Sequence, residues 1–147
     1  MDRFEEAVMD YISANPDCFL KTQLALPWDK ELNIGGSLPD FVVLNFRENT
    51  VYVVEVTTAS NLKSILTKVD ERQTRWYEPI KKYKSSWTAL IKSWDFRVCL
   101  FLREQVAEEA LFKTSNFDDV SVISLDKVLT PWNWERSSEN TVINPLR

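Results

Sequence analysis

Leu38-Pro39-Asp40-Phe41-Val42-Val43-Leu44-Asn45-Phe46 and Thr50-Val51-Tyr52-Val53-Val54-Glu55-Val56-Thr57 are separated only by Arg47-Glu48-Asn49. Both runs are rich in β-branched and aromatic residues, so each reads as a strand. A short polar connection suits an antiparallel hairpin. Asp40 stands near the start of the first strand and Glu55 near the end of the second. In an antiparallel pair those two ends are neighbours, so two carboxylates from different strands meet at one end of the sheet. Each is set in apolar sequence, where an uncompensated charge is costly to bury. A hard divalent cation with oxygen ligands, magnesium or manganese, would offset that cost.

The same residues carry a resemblance. Pro39-Asp40 with Glu55-Val56-Thr57 resembles the motif of the PD-(D/E)XK nuclease superfamily. Thr57 stands where that pattern has lysine. Glu55-Val56-Thr57-Thr58 is similar to the variant in cap-snatching endonucleases of phlebovirus-type polymerases, which take their lysine from the following helix. The resemblance implies an α/β fold of the restriction-endonuclease-like kind. Its α-β-β-β-α-β core, a mixed central sheet flanked by helices, would cover about residues 3–103. It also implies that Asp40 and Glu55 hold magnesium or manganese, with the Val56 carbonyl as a third ligand. Phe4-Glu5, with Val8, is similar to the first-helix motif of Holliday-junction resolvase-like members, which makes Glu5 a further metal ligand and Glu6 its competitor. Lys63, Lys68 and Arg72 are the nearby donors for the displaced lysine. The spacing from Glu55 resembles that of arenavirus-type members at Lys68, which is therefore assigned the catalytic role. Gln73, with Tyr77, is similar to the Q-X-X-X-Y motif of exonuclease-type members, which implies that it contacts the nucleic-acid backbone or orients the lysine.

Each of these residues also has a plain structural reading. Asp40 could be a solvated turn residue after Pro39, and Glu55 a strand-end charge paired to a lysine. Glu5 could serve a helix N-terminus. Gln73 could bond a backbone carbonyl.

Composition limits the chemistry. The 147 residues contain no histidine, which excludes Ser-His-Asp and Cys-His catalysis and histidine-ligated zinc. Net charge is −4, which does not favour nucleic acid, but its distribution does. Residues 61–97 carry nine basic and four acidic side chains. Arg72, Arg75, Lys81 and Lys82 of that segment, with Gln73, are the candidate contacts to DNA or RNA. Cys18 and Cys99 do not make a disulfide framework. With 44% hydrophobic residues, one domain spanning 1–147 is expected. It would bury roughly 68–70% of its unfolded surface. The N-terminus is acidic rather than signal-like, and no apolar run approaches the ~20 residues of a membrane span. The expectation is a soluble, cytoplasmic protein.

Along the chain, Phe4, Val8 and Ile12 predict a helix over Arg3–Ser13, capped by Asp2 with Glu5 completing a capping box. A first strand is expected within Phe19–Leu26, and a tight turn at Gly35-Gly36. Ser60 is the expected cap of a helix from Asn61 to about Tyr77, whose stripe is Leu62, Ile65, Leu66, Val69, Gln73 and Trp76. Pro79 should kink or interrupt it before a second helical piece over Ile80–Ile91. A strand over Phe96–Leu102, a helix over Glu104–Phe112, a strand over Val120–Ser124 and a short helix over Leu125–Leu129 follow. The tail from Thr130 has no clear period, and its Trp132 and Trp134 are candidate anchors for a homodimer or a protein partner.

Three functions fit. The first is metal-dependent, endonuclease-type phosphodiester hydrolysis of DNA or RNA. The second is a nuclease fold without chemistry, serving as a nucleic-acid-binding or protein-interaction subunit. The third is a small acidic regulator or inhibitor.

Overall fold

Side chains alternate between the faces of a strand, and in this hairpin both sets are apolar. Val42, Val51 and Val53 belong to one core cluster, and Phe41, Val43, Tyr52 and Val54 to another. A sheet built on such strands must be covered on both faces. The computed structural model, which describes residues 1–83 and 89–130, has that arrangement. Strands β1 (Cys18–Thr22), β2 (Phe41–Asn45), β3 (Thr50–Thr57), β4 (Asp95–Leu102) and β5 (Val120–Ser124) form one mixed sheet in that spatial order. β1, β2 and β3 pair antiparallel, while β3–β4 and β4–β5 are parallel.

Parallel neighbours need a long crossover. Between β3 and β4 it contains α2 (Lys63–Asp70), a π-helical turn (Gln73–Tyr77) and α3 (Glu78–Tyr83). Between β4 and β5 lies α4 (Glu104–Lys113). Ile65, Val69, Trp76 and Ile80 of the first crossover pack with Val53, Val98 and Leu100 of the sheet. The opposite face is covered by α1 (Arg3–Ser13) and α5 (Leu125–Val128), through Val8, Tyr11, Ile12, Leu125 and Val128. Asp2 and Glu5 close the expected capping box of α1. The protein is thus a mixed α/β fold, a five-stranded sheet flanked by helices.

Several boundaries differ from the sequence reading. β2 begins at Phe41 rather than Leu38. Pro39 has no N–H to pair, and the Asp40 N–H is taken by a side chain of β3. β1 ends at Thr22, because Gln23 has a positive φ of 49°. Ser60 does not cap α2; Leu62 holds that position without a side-chain bond, and Asn61 Oδ1 accepts from the Lys63 N–H at 2.8 Å. The helix expected to reach Tyr77 stops at Asp70. It resumes as the π-helical turn, closed by the Glu78 N–H on the Gln73 carbonyl. Pro79 cannot supply the N–H that a continuous helix needs, and the widened turn ends the ladder just before it. Of the second helical piece, residues 84–88 lie outside the described residues, as do Trp132 and Trp134.

The Gly35-Gly36 turn ties the β1–β2 connection to the crossover. Gly35 has a φ of 87°, and its N–H donates to the Thr74 carbonyl at 2.9 Å. A Cβ at Gly35 would lie 2.2 Å from the Pro27 carbonyl oxygen, whereas one at Gly36 would meet only Trp28 side-chain atoms, the nearest at 3.5 Å. Gly35→Ala is expected to destabilise the fold by about 3 kcal/mol. That corresponds to roughly 10 °C in melting temperature. Gly36→Ala should cost clearly less, and thermal denaturation of the two variants checks the order.

Candidate active site

Asp40 and Glu55 meet where β2 begins and β3 ends. The register pairs Phe41 with Val54, so the next pair outward is Asp40 with Glu55. Residues 51, 53 and 55 share one face of β3 by the two-residue period, and that face is covered by α2. Each carboxylate is held by the other's strand. The Asp40 N–H donates to Glu55 Oε2 at 2.9 Å, and the Val56 N–H donates to Asp40 Oδ2 at 2.8 Å. This reciprocal latch fixes both side chains before any ligand arrives. The N–H and C=O of a strand residue point the same way, so the Val56 carbonyl lies on the Asp40 side too.

Glu55 is 5% exposed, and its second oxygen, Oε1, accepts from Lys68 Nζ at 3.3 Å. Lys68 lies in the last turn of α2. Its apolar stem allows the ammonium to reach the sheet while the side chain keeps contact with solvent. A buried carboxylate is thereby paired with the lysine the sequence singles out.

Burial, and then the Glu55 charge beside it, push the Asp40 carboxyl up to about 8; the Val56 N–H opposes the shift and Glu5 adds to it. An unfolded aspartate titrates near 3.9. Between those two values the folded chain binds more protons than the unfolded one, so this group lowers stability as pH rises from about 4 to about 8. Solvent still reaches the carboxyl, which reduces the effect to roughly 1–3 kcal/mol. The metal-free protein is therefore expected to melt lower at pH 9 than at pH 6, and Asp40→Asn to remove that drop. Parallel pH profiles for Asp40→Asn and wild type would refute it.

Glu5 comes near Asp40, while Glu6 is exposed. The Glu5 carboxylate accepts from the Asp2 N–H in the capping box at 2.9 Å. Among the described residues, no three His, Cys, Asp or Glu side chains gather as a metal-holding group. The oxygen donors at the strand ends are the Asp40 and Glu55 carboxylates and the Val56 carbonyl, with Glu5 beside Asp40. That set fits magnesium or manganese better than calcium. Magnesium takes one or two carboxylates, keeps several waters and shares substrate phosphates, whereas calcium wants six to eight oxygens.

The other basic candidates are distributed over different surroundings. Arg72 Nε and Nη2 grip both oxygens of Asp119, at 2.7 and 3.0 Å, and its guanidinium lies over the Phe117 ring. The Tyr77 hydroxyl donates to the same carboxylate at 2.8 Å. Burial alone would raise the Asp119 carboxyl, but the bonds from Arg72 and Tyr77 outweigh it and hold it below its usual value. Arg72 and Tyr77 thus pin the crossover to the turn before β5, which leaves Arg72 little to offer a phosphate. Gln73 is exposed rather than on the apolar stripe. Lys81 pairs with Glu78 and lies over Phe96. Lys82 is exposed beside Pro27 and Trp28. Arg75 pairs with Glu71. Asp119 was not singled out in the sequence; it stands 47 residues from Arg72, and no local pattern announces the pairing.

The chain matches no family model, no curated protein and no solved structure. Among the described residues, no helix is long and apolar enough to cross a membrane.

Proposed function

We propose that the protein hydrolyses phosphodiester bonds of DNA or RNA with magnesium or manganese, on a core of the restriction-endonuclease-like kind. The observation that carries this reading is the latch of Asp40 and Glu55 with Lys68 against it. Supporting it is the element order α1-β1-β2-β3-α2-β4, with both carboxylates at the end of β3 from which the crossover departs. Asp40, Glu55 and the Val56 carbonyl would hold the ion. When bound, it would act as a Lewis acid on the phosphate and lower the pKa of a coordinated water. Lys68, 3.3 Å from Glu55, would orient the attacking water and stabilise charge developing on the phosphate. Thr57 carries no charge, so this role falls to the helix.

The second reading is a fold of the same kind that binds nucleic acid or a protein without cleaving. It is favoured by one observation, that Lys68 already pairs with the buried Glu55 at 3.3 Å, so the charge of Glu55 is offset without a metal. Manganese distinguishes the outcomes. Free metal at ~100 times its dissociation constant should stabilise the fold by about 2.7 kcal/mol, read as a rise in melting temperature. Oligonucleotide cleavage should require the same metal. An unchanged melting curve at millimolar manganese would overturn the metal site. Stabilisation without cleavage of single-stranded or duplex DNA or RNA would shift the conclusion to the second reading.

A further inference from the structure

We infer that the groove beside Lys68 is a phosphate seat, in which Lys63 and Arg75 hold the backbone phosphate next to the one being cleaved. The inference rests on the hydrolase reading for the position of the cleaved bond. The groove is lined by Asn61, Lys63, Ser64, Thr67, Lys68 and Arg75. Three of these are cations, three are neutral polar groups, and none is a carboxylate. Three other clefts among the described residues differ in this respect. One sets Asp29 and Glu31 beside Lys30 and Lys82, another Asp70 and Glu109 beside Lys113 and the shared Lys63, and a third Asp95, Asp118 and Asp119 beside Arg72 and Lys81. Of these four linings, that of the groove beside Lys68 alone carries net positive charge, which favours an anionic ligand there. At about 480 Å³, the groove falls within the range of small-ligand sites, with room for a nucleotide unit rather than a bare ion.

Lys68 belongs to both places, since it lines the groove and its Nζ is 3.3 Å from Glu55. The seat is therefore continuous with the carboxylate pair. Lys63 and Thr67 lie four positions apart, and Ser64 lies three from Thr67 and four from Lys68, which sets the four on one side of α2. Lys63 is exposed and forms no ion pair with a described residue.

Arg75 supplies the more specific signal. Its Nη2 bonds Glu71, while its Nε is buried without any partner. A buried donor left unpaired is costly. Nε and Nη2 form the fork of a guanidinium, which matches two oxygens of a phosphate. The competing Glu71 is half exposed and four residues away on the same helical stretch. Such a surface pair contributes only about 0.3–0.5 kcal/mol, so a phosphate can replace it. Contacts of this kind read the backbone, not the bases, so DNA and RNA strands of any sequence are accepted.

The test is binding of a fluorescent 15-nucleotide DNA of mixed sequence to the full chain in EDTA, where no metal-dependent cleavage occurs. Lys63→Gln and Arg75→Gln are each expected to weaken binding about 5–10-fold at low salt and to flatten the salt slope by roughly 0.7–0.9. A double Lys21→Gln, Lys30→Gln variant, changed at exposed lysines outside the groove, should bind as wild type. Arg75→Lys should recover only part of the loss. Circular dichroism monitors folding, and if Arg75→Gln fails to fold, Lys63→Gln decides. Wild-type affinity in both single variants, or no binding by the wild type, overturns the seat. The manganese-induced melting shift, measured on the same proteins, reports separately on the hydrolase reading. Its absence with the binding losses intact would refute that reading and leave the phosphate seat standing.

Discussion

Glu55→Gln is expected to lower metal-dependent cleavage by at least about 10³-fold, equivalent to roughly 4 kcal/mol of transition-state stabilisation. It should also remove the manganese-induced rise in melting temperature. The substitution is nearly isosteric, and an amide oxygen can still accept from the Asp40 N–H, as Glu55 Oε2 does at 2.9 Å. The latch can therefore survive while half the carboxylate charge of the site is lost. The Glu55 charge is the second cause, after burial, of the raised Asp40 carboxyl. Removing it should bring Asp40 back toward ordinary values and weaken the pH dependence of metal-free stability. Lys68 would lose its ion pair, at a cost limited by its contact with solvent. Cleavage time courses and melts with and without manganese give both results. A variant that keeps the full manganese shift would exclude Glu55 as a ligand.

Lys68→Ala is expected to lower kcat by about 10²–10³-fold, yet to keep the manganese shift, because an ammonium is not a metal ligand. Metal affinity should hold or rise, since a competing cation has been removed from Glu55 Oε1. Without metal, the buried Glu55 loses its partner, and the fold should weaken by about 1–2 kcal/mol, less than for a fully buried pair. Manganese should restore more stability to this variant than to wild type. Lys63→Ala, which leaves the Glu55 contact intact, should act mainly on substrate binding and spare kcat. Wild-type cleavage by Lys68→Ala would end the assignment of the displaced lysine to Lys68. Loss of both cleavage and the manganese shift would show that Lys68 builds the site and does not act on the substrate.

The parts of the fold that were legible are those whose physics is local. The Asp2–Glu5 capping box follows from neighbours three residues apart, and the strand at Val120–Ser124 and the antiparallel hairpin from short runs rich in β-branched and aromatic residues, joined in the hairpin by a short polar connection. The meeting of Asp40 with Glu55 was legible for the same reason, since a hairpin's register is set by its short connection. Lys68 was reachable because helical spacing puts it on the flank of the Ile65–Val69 stripe, facing the same side of β3 as Glu55.

Other features depend on contacts that no window of sequence contains. Apolar spacing continues past Asp70, and only the conflict between Pro79 and a continuous ladder converts the next turn to π geometry. The central segment carries its positive charge in sequence, but burial and long-range pairing divide it. Among the described residues, Asp119 takes Arg72, Phe96 and Glu78 hold Lys81, and Lys63, Lys68 and Arg75 line a groove without carboxylates. Residue types and their periods determined by themselves that this chain builds a sheet covered on both faces, with two carboxylates at one strand end. Which cations stand beside those carboxylates, and how far burial lifts Asp40, was decided only by tertiary packing, because charge pairing and desolvation depend on distances between residues far apart in the chain.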